Sequence, residues 1–105
     1  MADFNLNVQD GVARLTLSGK LDTAVAPQLS EQLKTLVGKG ITRVLFMAET
    51  LDYVSSAGLR AIVFAKQKIG AGVQVFVIGA KPEVIDVIKM TGFDSFVVLQ
   101  DSYKA

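Results

Sequence analysis

The apolar residues of this chain change their spacing again and again, and that switching restricts the fold more than any other feature. Phe4-Asn5-Leu6-Asn7-Val8 alternates strictly, the period of a half-buried strand. Val25, Leu29, Leu33, Leu36 and Val37 recur at helical spacing, with Gln28, Glu31, Gln32 and Lys34 opposite. Ile41 to Ala48 returns to strand character, and its run Val44-Leu45-Phe46-Met47-Ala48 does not alternate, as in a strand covered on both faces. Leu59 to Ile69 is helix-like again, with Leu59, Ile62, Val63 and Ile69 toward a core and Arg60, Lys66, Gln67 and Lys68 toward water. Val73 to Ile78 is an apolar strand. Val84, Ile85 and Ile88 form the stripe of a last helix, and Phe96-Val97-Val98-Leu99 a short final strand.

Turn chemistry punctuates this pattern. Asp10-Gly11 is a two-residue hairpin signal. Pairing Gln9 with Val12 across it sets Val8 opposite Ala13, Leu6 opposite Leu15 and Phe4 opposite Leu17, so every apolar residue lands on one face. Asn5, Asn7, Arg14 and Thr16 take the other, wet face. Pro27 lies near the start of the first helix and Pro82 at the first position of the last, where a missing N–H costs least. Gly38 and Gly40, Gly70-Ala71-Gly72 and Thr91-Gly92 stop the three helices. Gln100 to Ala105 reads as a polar tail, frayed or a short helical turn.

The order is β-β-α-β-α-β-α-β. Strands alternating with helices predict an α/β domain: a mixed, mainly parallel sheet of about five strands, an N-terminal antiparallel hairpin and three to four helices. The doubly apolar strands predict helices on both sides of the sheet. The 105 residues, half of them hydrophobic, are expected to form one domain, 1–105, with a core that needs no staples. The pattern leaves the spatial order of the strands open.

Composition narrows the chemistry. The sequence has no cysteine and no histidine. Disulfides, thiol nucleophiles, Cys- or His-based zinc sites and His-based triads are therefore excluded. The net charge is +1, with acids and bases interspersed, so no basic stripe invites nucleic acid or an anionic membrane. No apolar run approaches the ~18 residues of a membrane span, and Met1-Ala2-Asp3-Phe4-Asn5 does not open a signal peptide. The expectation is a soluble cytoplasmic protein, monomeric, with no nucleic-acid or membrane partner. The glycine clusters Gly38-Lys39-Gly40 and Gly70-Ala71-Gly72 lack the spacing of a phosphate loop. Ser55-Ser56-Ala57-Gly58 is not a nucleophile elbow, and no histidine exists to serve it as base.

The stretch Thr50-Leu51-Asp52-Tyr53-Val54-Ser55-Ser56-Ala57-Gly58-Leu59-Arg60 joins a strand to a helix. Its serines fall at or just before a helix N-terminus, where free N–H groups and the helix dipole favour negative charge. One serine can serve as N-cap; either could carry a phosphate there.

Val54-Ser55-Ser56-Ala57-Gly58-Leu59-Arg60 resembles the signature loop of STAS domains of the bacterial anti-sigma factor antagonist type. Anchoring on Gly58-Leu59 places Ser56 on that family's phosphorylated serine. Ser55 stands where an acid is usual, Ala57 where a second hydroxyl often is, and Met47 where the preceding strand often holds Asp or Asn. Leu17-Ser18-Gly19-Lys20-Leu21-Asp22, Ile78-Gly79-Ala80-Lys81-Pro82-Glu83-Val84 and Met90-Thr91-Gly92-Phe93 are similar to other family segments in the same order.

The resemblance implies a STAS fold and a non-enzymatic, phosphorylation-switched binding module. Its partners would be an anti-sigma factor serine kinase, bound while Ser56 is unphosphorylated, and a serine phosphatase that resets the switch. It implies no cofactor in this chain, since ATP and magnesium would belong to the kinase. The site it implies is Ser56 as phosphoacceptor, Ser55 as second choice, and Asp22, Thr23, Ser55, Ser56, Ala57, Gly58 and Arg60 as partner-binding residues. Asp52 and Tyr53 are weaker candidates for the same surface. Asp22 is equally suited to capping the first helix, Gly58 to letting backbone approach closely, and Arg60 either to meeting a phosphate on Ser56 or to standing as a solvated helix charge. The alternative reading is a STAS scaffold or small-ligand or nucleotide-binding module that phosphorylation does not switch.

Overall fold

The computed structural model describes residues 5–70 and 72–102. It opens on the predicted hairpin. Strand β1 (Asn5–Gln9) pairs antiparallel with β2 (Val12–Leu21), with Gln9 opposite Val12, Val8 opposite Ala13 and Leu6 opposite Leu15. The expected Phe4–Leu17 pair lies outside the described residues. Asp10 and Gly11 both have positive φ, 53° and 77°, the type I′ geometry whose twist matches the flanking strands. The Gly11 carbonyl then accepts the Thr42 N–H at 2.8 Å, which ties the turn to the approach of the next strand.

Helix α1 (Ala26–Lys34) follows, then β3 (Arg43–Val54), α2 (Ser56–Val63), α3 (Ala65–Ile69), β4 (Gln74–Ile78), α4 (Pro82–Met90), a 3₁₀ turn at Phe93–Ser95 and β5 (Val98–Gln100). The strands lie in sequence order, β1-β2-β3-β4-β5, with β2 to β5 parallel. The predicted mixed sheet with an antiparallel opening strand is the one observed.

The expected helices on both faces are not. Right-handed crossovers that always step the same way across a sheet put every helix on one face. The main core accordingly joins Leu29 and Leu33 of α1, Leu59 and Ile62 of α2, Ala65 of α3 and Val84 and Ile88 of α4 to the inward residues Ala13, Leu15, Leu17, Val44, Phe46, Ala48, Val75 and Val77. Burying one such Leu, Ile or Phe side chain is worth roughly 1.5–3 kcal/mol, so this face carries most of the stability. The opposite face has its own small cluster, Leu45, Phe76 and Ile78, with Val12 and Met47 packed beside it and no helix residue among its members. The Arg43 guanidinium lies 6.0 Å from the Phe76 ring centroid and shields that ring. Neighbouring strands, not a second helical layer, therefore cover the apolar run of β3.

Three other expectations shift. The single helix expected over Leu59 to Ile69 starts earlier, at Ser56, and divides at Phe64, which ends α2 and begins α3. Helix α1 ends at Lys34, so Val37 falls beyond it and is 52% exposed rather than in the core. The last strand begins at Val98, which leaves Phe96 outside it and exposed, while Gln100 belongs to the strand rather than to the tail.

Strand β3 outruns β4, though not β2, in a way that builds the site. Its pairing with β4 stops at Met47–Ile78, while its pairing with β2 continues through two register shifts to Leu21–Val54. The Thr50 hydroxyl donates to the Leu17 carbonyl at 3.3 Å within that irregular segment. The ends of β2 and β3 thus leave the sheet together and deliver Asp22 and Ser55 to the same place.

Candidate functional site

The two adjacent serines have different duties. Ser55 is extended, at φ −85° and ψ 169°, and is the N-cap of α2. Its Oγ accepts the Gly58 N–H at 3.1 Å, and its carbonyl accepts the Leu59 N–H at 2.9 Å. Its own N–H donates to the Leu21 carbonyl at 2.9 Å, continuing the β2–β3 ladder into the turn. Ser56 is the first helical residue and is exposed; among the described residues no group hydrogen-bonds its hydroxyl. The amides of Ser56 and Ala57 are the ones at this helix start that neither the cap nor the helix takes up. They and the dipole make the Ser56 side chain a favourable place for added negative charge.

Residue chemistry left the cap open between the two serines, while the resemblance set the acceptor on Ser56. The structure gives the cap to Ser55, and Ser and Asp are equally good in that role. A serine where the family usually has an acid therefore preserves the local geometry. Met47 has no part in it. It lies on the helix-free face of the sheet, packed against the Leu45 cluster, roughly 20 Å along the strand from Val54.

Gly58 fixes how close α2 comes to β2. A Cβ built on it would lie 2.4 Å from the Leu21 carbonyl oxygen and 2.8 Å from Leu21 Cγ. The residue is buried, so its part in the site is to set this approach. Beyond Leu21, the Asp22 carboxylate Oδ1 accepts the Val25 N–H at 3.0 Å, and the Asp22 carbonyl accepts the Ala26 N–H at 2.9 Å. Asp22 thus caps the turn that leads into α1, while the N-cap position itself is held by Val25 without a side-chain bond. Asp22 is half-buried, and Thr23 is exposed beside it.

A shallow groove of about 310 Å³ runs between α1 and α2, walled by Thr23, Ala26, Pro27, Ala57, Arg60 and Phe64. It brings Thr23, Ala57 and Arg60 together from the predicted set. Ala26, Pro27 and Phe64 join them without having been singled out; the sequence signal was Phe64 itself, an aromatic facing water in the middle of a helical run. Small residues make the floor, and Phe64, 40% exposed, stands at one end. Asp52 lies on the far side of the turn and forms an ion pair with Lys81 at the start of α4. Tyr53, beside it, is exposed. Among the described residues no group of acidic side chains is placed to hold a metal ion.

The fold and the turn together define a small α/β domain that displays a hydroxyl at a helix start beside an apolar groove. The chain belongs to the STAS domain family, which it matches over residues 3–105. It is 36% identical over 97 residues to BtrV of Bordetella bronchiseptica, which carries the name of an anti-sigma factor antagonist; the match covers 91% of this chain and 84% of that one. Its fold is similar to that of an anti-sigma factor antagonist from Mycobacterium paratuberculosis, with a TM-score of 0.85, 22% identity, and 97% and 87% of the two chains covered. It is also similar to the anti-sigma factor antagonist SpoIIAA in its unphosphorylated form, with a TM-score of 0.76, 18% identity, and 96% and 90% covered. SpoIIAA of Bacillus in the phosphorylated form gives a TM-score of 0.71 at 19% identity, with 92% and 90% covered. No described helix is long and apolar enough to cross a membrane.

Proposed function

We propose that this chain is an anti-sigma factor antagonist: a cytoplasmic, non-enzymatic binding module whose partner is an anti-sigma factor with serine kinase activity. The unphosphorylated surface at Asp22, Thr23, Ser55, Ser56, Ala57 and Arg60 holds that partner. Phosphorylation of Ser56 releases it, and a serine phosphatase restores the binding form.

One observation carries the reading. The Ser56 hydroxyl is exposed and free of capping duty because Ser55 performs it. A kinase can therefore take Ser56 without unwinding α2. The phosphate adds about −1.5 to −2 charges at neutral pH. Two uncommitted amides and the helix dipole receive that charge, so the fold tolerates it. A partner docked over the same turn would instead have to desolvate the new charge or face it with its own carboxylates. The switch works on the surface and leaves the core as it is.

The test is binding of the partner kinase by three forms of the full chain: unphosphorylated, phosphorylated, and Ser56→Ala. The reading requires binding by the first and third and loss of binding by the second. Equal binding by the phosphorylated form would overturn it.

A further inference from the structure

Among the described residues that wall the groove between α1 and α2, Arg60 is the one cation, and it stands four positions after Ser56 on α2. Residues so spaced are neighbours on one helix face, with Cβ atoms about 5–6 Å apart. Both are exposed, and among the described residues no carboxylate pairs with Arg60. The guanidinium therefore has two directions open to it, over the apolar floor of Ala26, Pro27 and Ala57 or back toward the helix start.

From this placement, and resting on the phosphorylation of Ser56 proposed above, we infer that Arg60 is the moving part of the switch. In the unphosphorylated chain it stands at the groove and pairs with an acidic side chain of the partner, whose neighbouring apolar residue enters between Ala57 and Phe64. A phosphate on Ser56 captures the guanidinium within the same helix, because an arginine fork meets phosphate oxygens through paired, charge-assisted hydrogen bonds. The partner's acid then loses its cation at the same moment that it meets a new anion. Phosphorylation both adds a repulsive charge and withdraws an attractive one.

Two experiments test this, and the first needs no partner. Phosphoserine is installed at position 56 of the full chain by semisynthesis, so the result does not depend on any kinase accepting the site. The Arg60 Nε–Hε resonance is followed by NMR with and without the phosphate. The resonance is assigned by its absence from Arg60→Lys, and the proposal expects it to shift and sharpen with the phosphate while the amide spectrum of α2 stays folded. An Arg60 signal unmoved by the phosphate would overturn the capture.

The second experiment measures partner affinity for the chain and for Arg60→Gln, each with and without phosphate on Ser56. Arg60→Gln should weaken the unphosphorylated complex about tenfold, and should shrink the effect of phosphorylation by the same factor. If the two changes simply multiply, the groove and the phosphate do not share Arg60 and the inference fails. Failure of the kinase to modify Ser56 at all would count against the functional proposal, while the semisynthetic arm would still decide the fate of Arg60.

Discussion

The α-carbon of Gly58 rests against the carbonyl of Leu21. A methyl group at position 58 would come within 2.4 Å of that oxygen, closer than real Cβ contacts allow, and the atom in the way is backbone. The same carbonyl accepts the Ser55 N–H at 2.9 Å. One peptide group of β2 thus sets both the height of the serine turn and the depth of the helix behind it. The site depends on this contact, which places Asp22 and Ser56 on one surface.

Gly58→Ala should therefore cost stability and disturb the turn. The expected loss is about 2–3 kcal/mol, at the upper end of overpacking substitutions, because backbone cannot rotate aside as a side chain can. Urea denaturation measures it, and hydrogen exchange at the Ser55 amide reports the weakened bond to Leu21. A change below about 0.5 kcal/mol, the range of neutral surface substitutions, would mean that the contact is softer than described.

Ser55 and Ser56 should separate cleanly under mutation. Ser55→Ala removes the acceptor for the Gly58 N–H and should cost about 1 kcal/mol, with Ser55→Asp restoring most of it. Ser56→Ala removes an exposed hydroxyl that holds nothing and should stay within about 0.5 kcal/mol of the parent. Thermal unfolding of the three variants decides the matter. The reverse order would place the cap on Ser56.

Asp22 joins a structural duty to the proposed partner contact, and two substitutions divide them. Asp22→Ala strips the cap from the Val25 N–H and should cost about 1 kcal/mol. Asp22→Asn keeps a capping oxygen and should hold stability within a few tenths of a kcal/mol while removing the charge. If the carboxylate faces the partner, the Asn variant binds it less tightly although its melting temperature is unchanged. Unchanged affinity would confine Asp22 to the turn.

Met47→Asn should leave the rate of Ser56 phosphorylation unaltered. Met47 packs beside Leu45, Phe76 and Ile78 on the face of the sheet that lacks helices, away from the serine turn. Steady-state phosphorylation rates of the two chains make the comparison, with a several-fold change contradicting the placement.

Much of this could be read before folding. The hairpin and its register follow from strict alternation around Asp10-Gly11, because a slip by one residue would put Leu6 and Leu15 on opposite faces. The element order follows from the change of hydrophobic period. Three features did not show. The continuous apolar run of β3 suggested two helical layers, but Leu45 finds enough cover in Phe76 and Ile78 on the adjacent strand, and periodicity cannot distinguish those two kinds of burial. The resemblance set Ser56 as the acceptor, but the cap stayed open between Ser55 and Ser56, since both are good caps one position apart. Only the extended backbone of Ser55 separates them. The α1–α2 groove was equally hidden, because its walls come from segments about thirty residues apart that the Gly58–Leu21 contact draws together.

The most direct test of the account is phosphorylation itself. The full chain would be mixed with an anti-sigma factor serine kinase that binds it, together with ATP and magnesium. Intact mass followed by peptide mapping would locate any phosphate, and the kinase would be assayed for release. The account predicts one phosphate, on Ser56, and a complex that comes apart as it is added. A chain that binds the kinase stably and acquires no phosphate at Ser56 would contradict it.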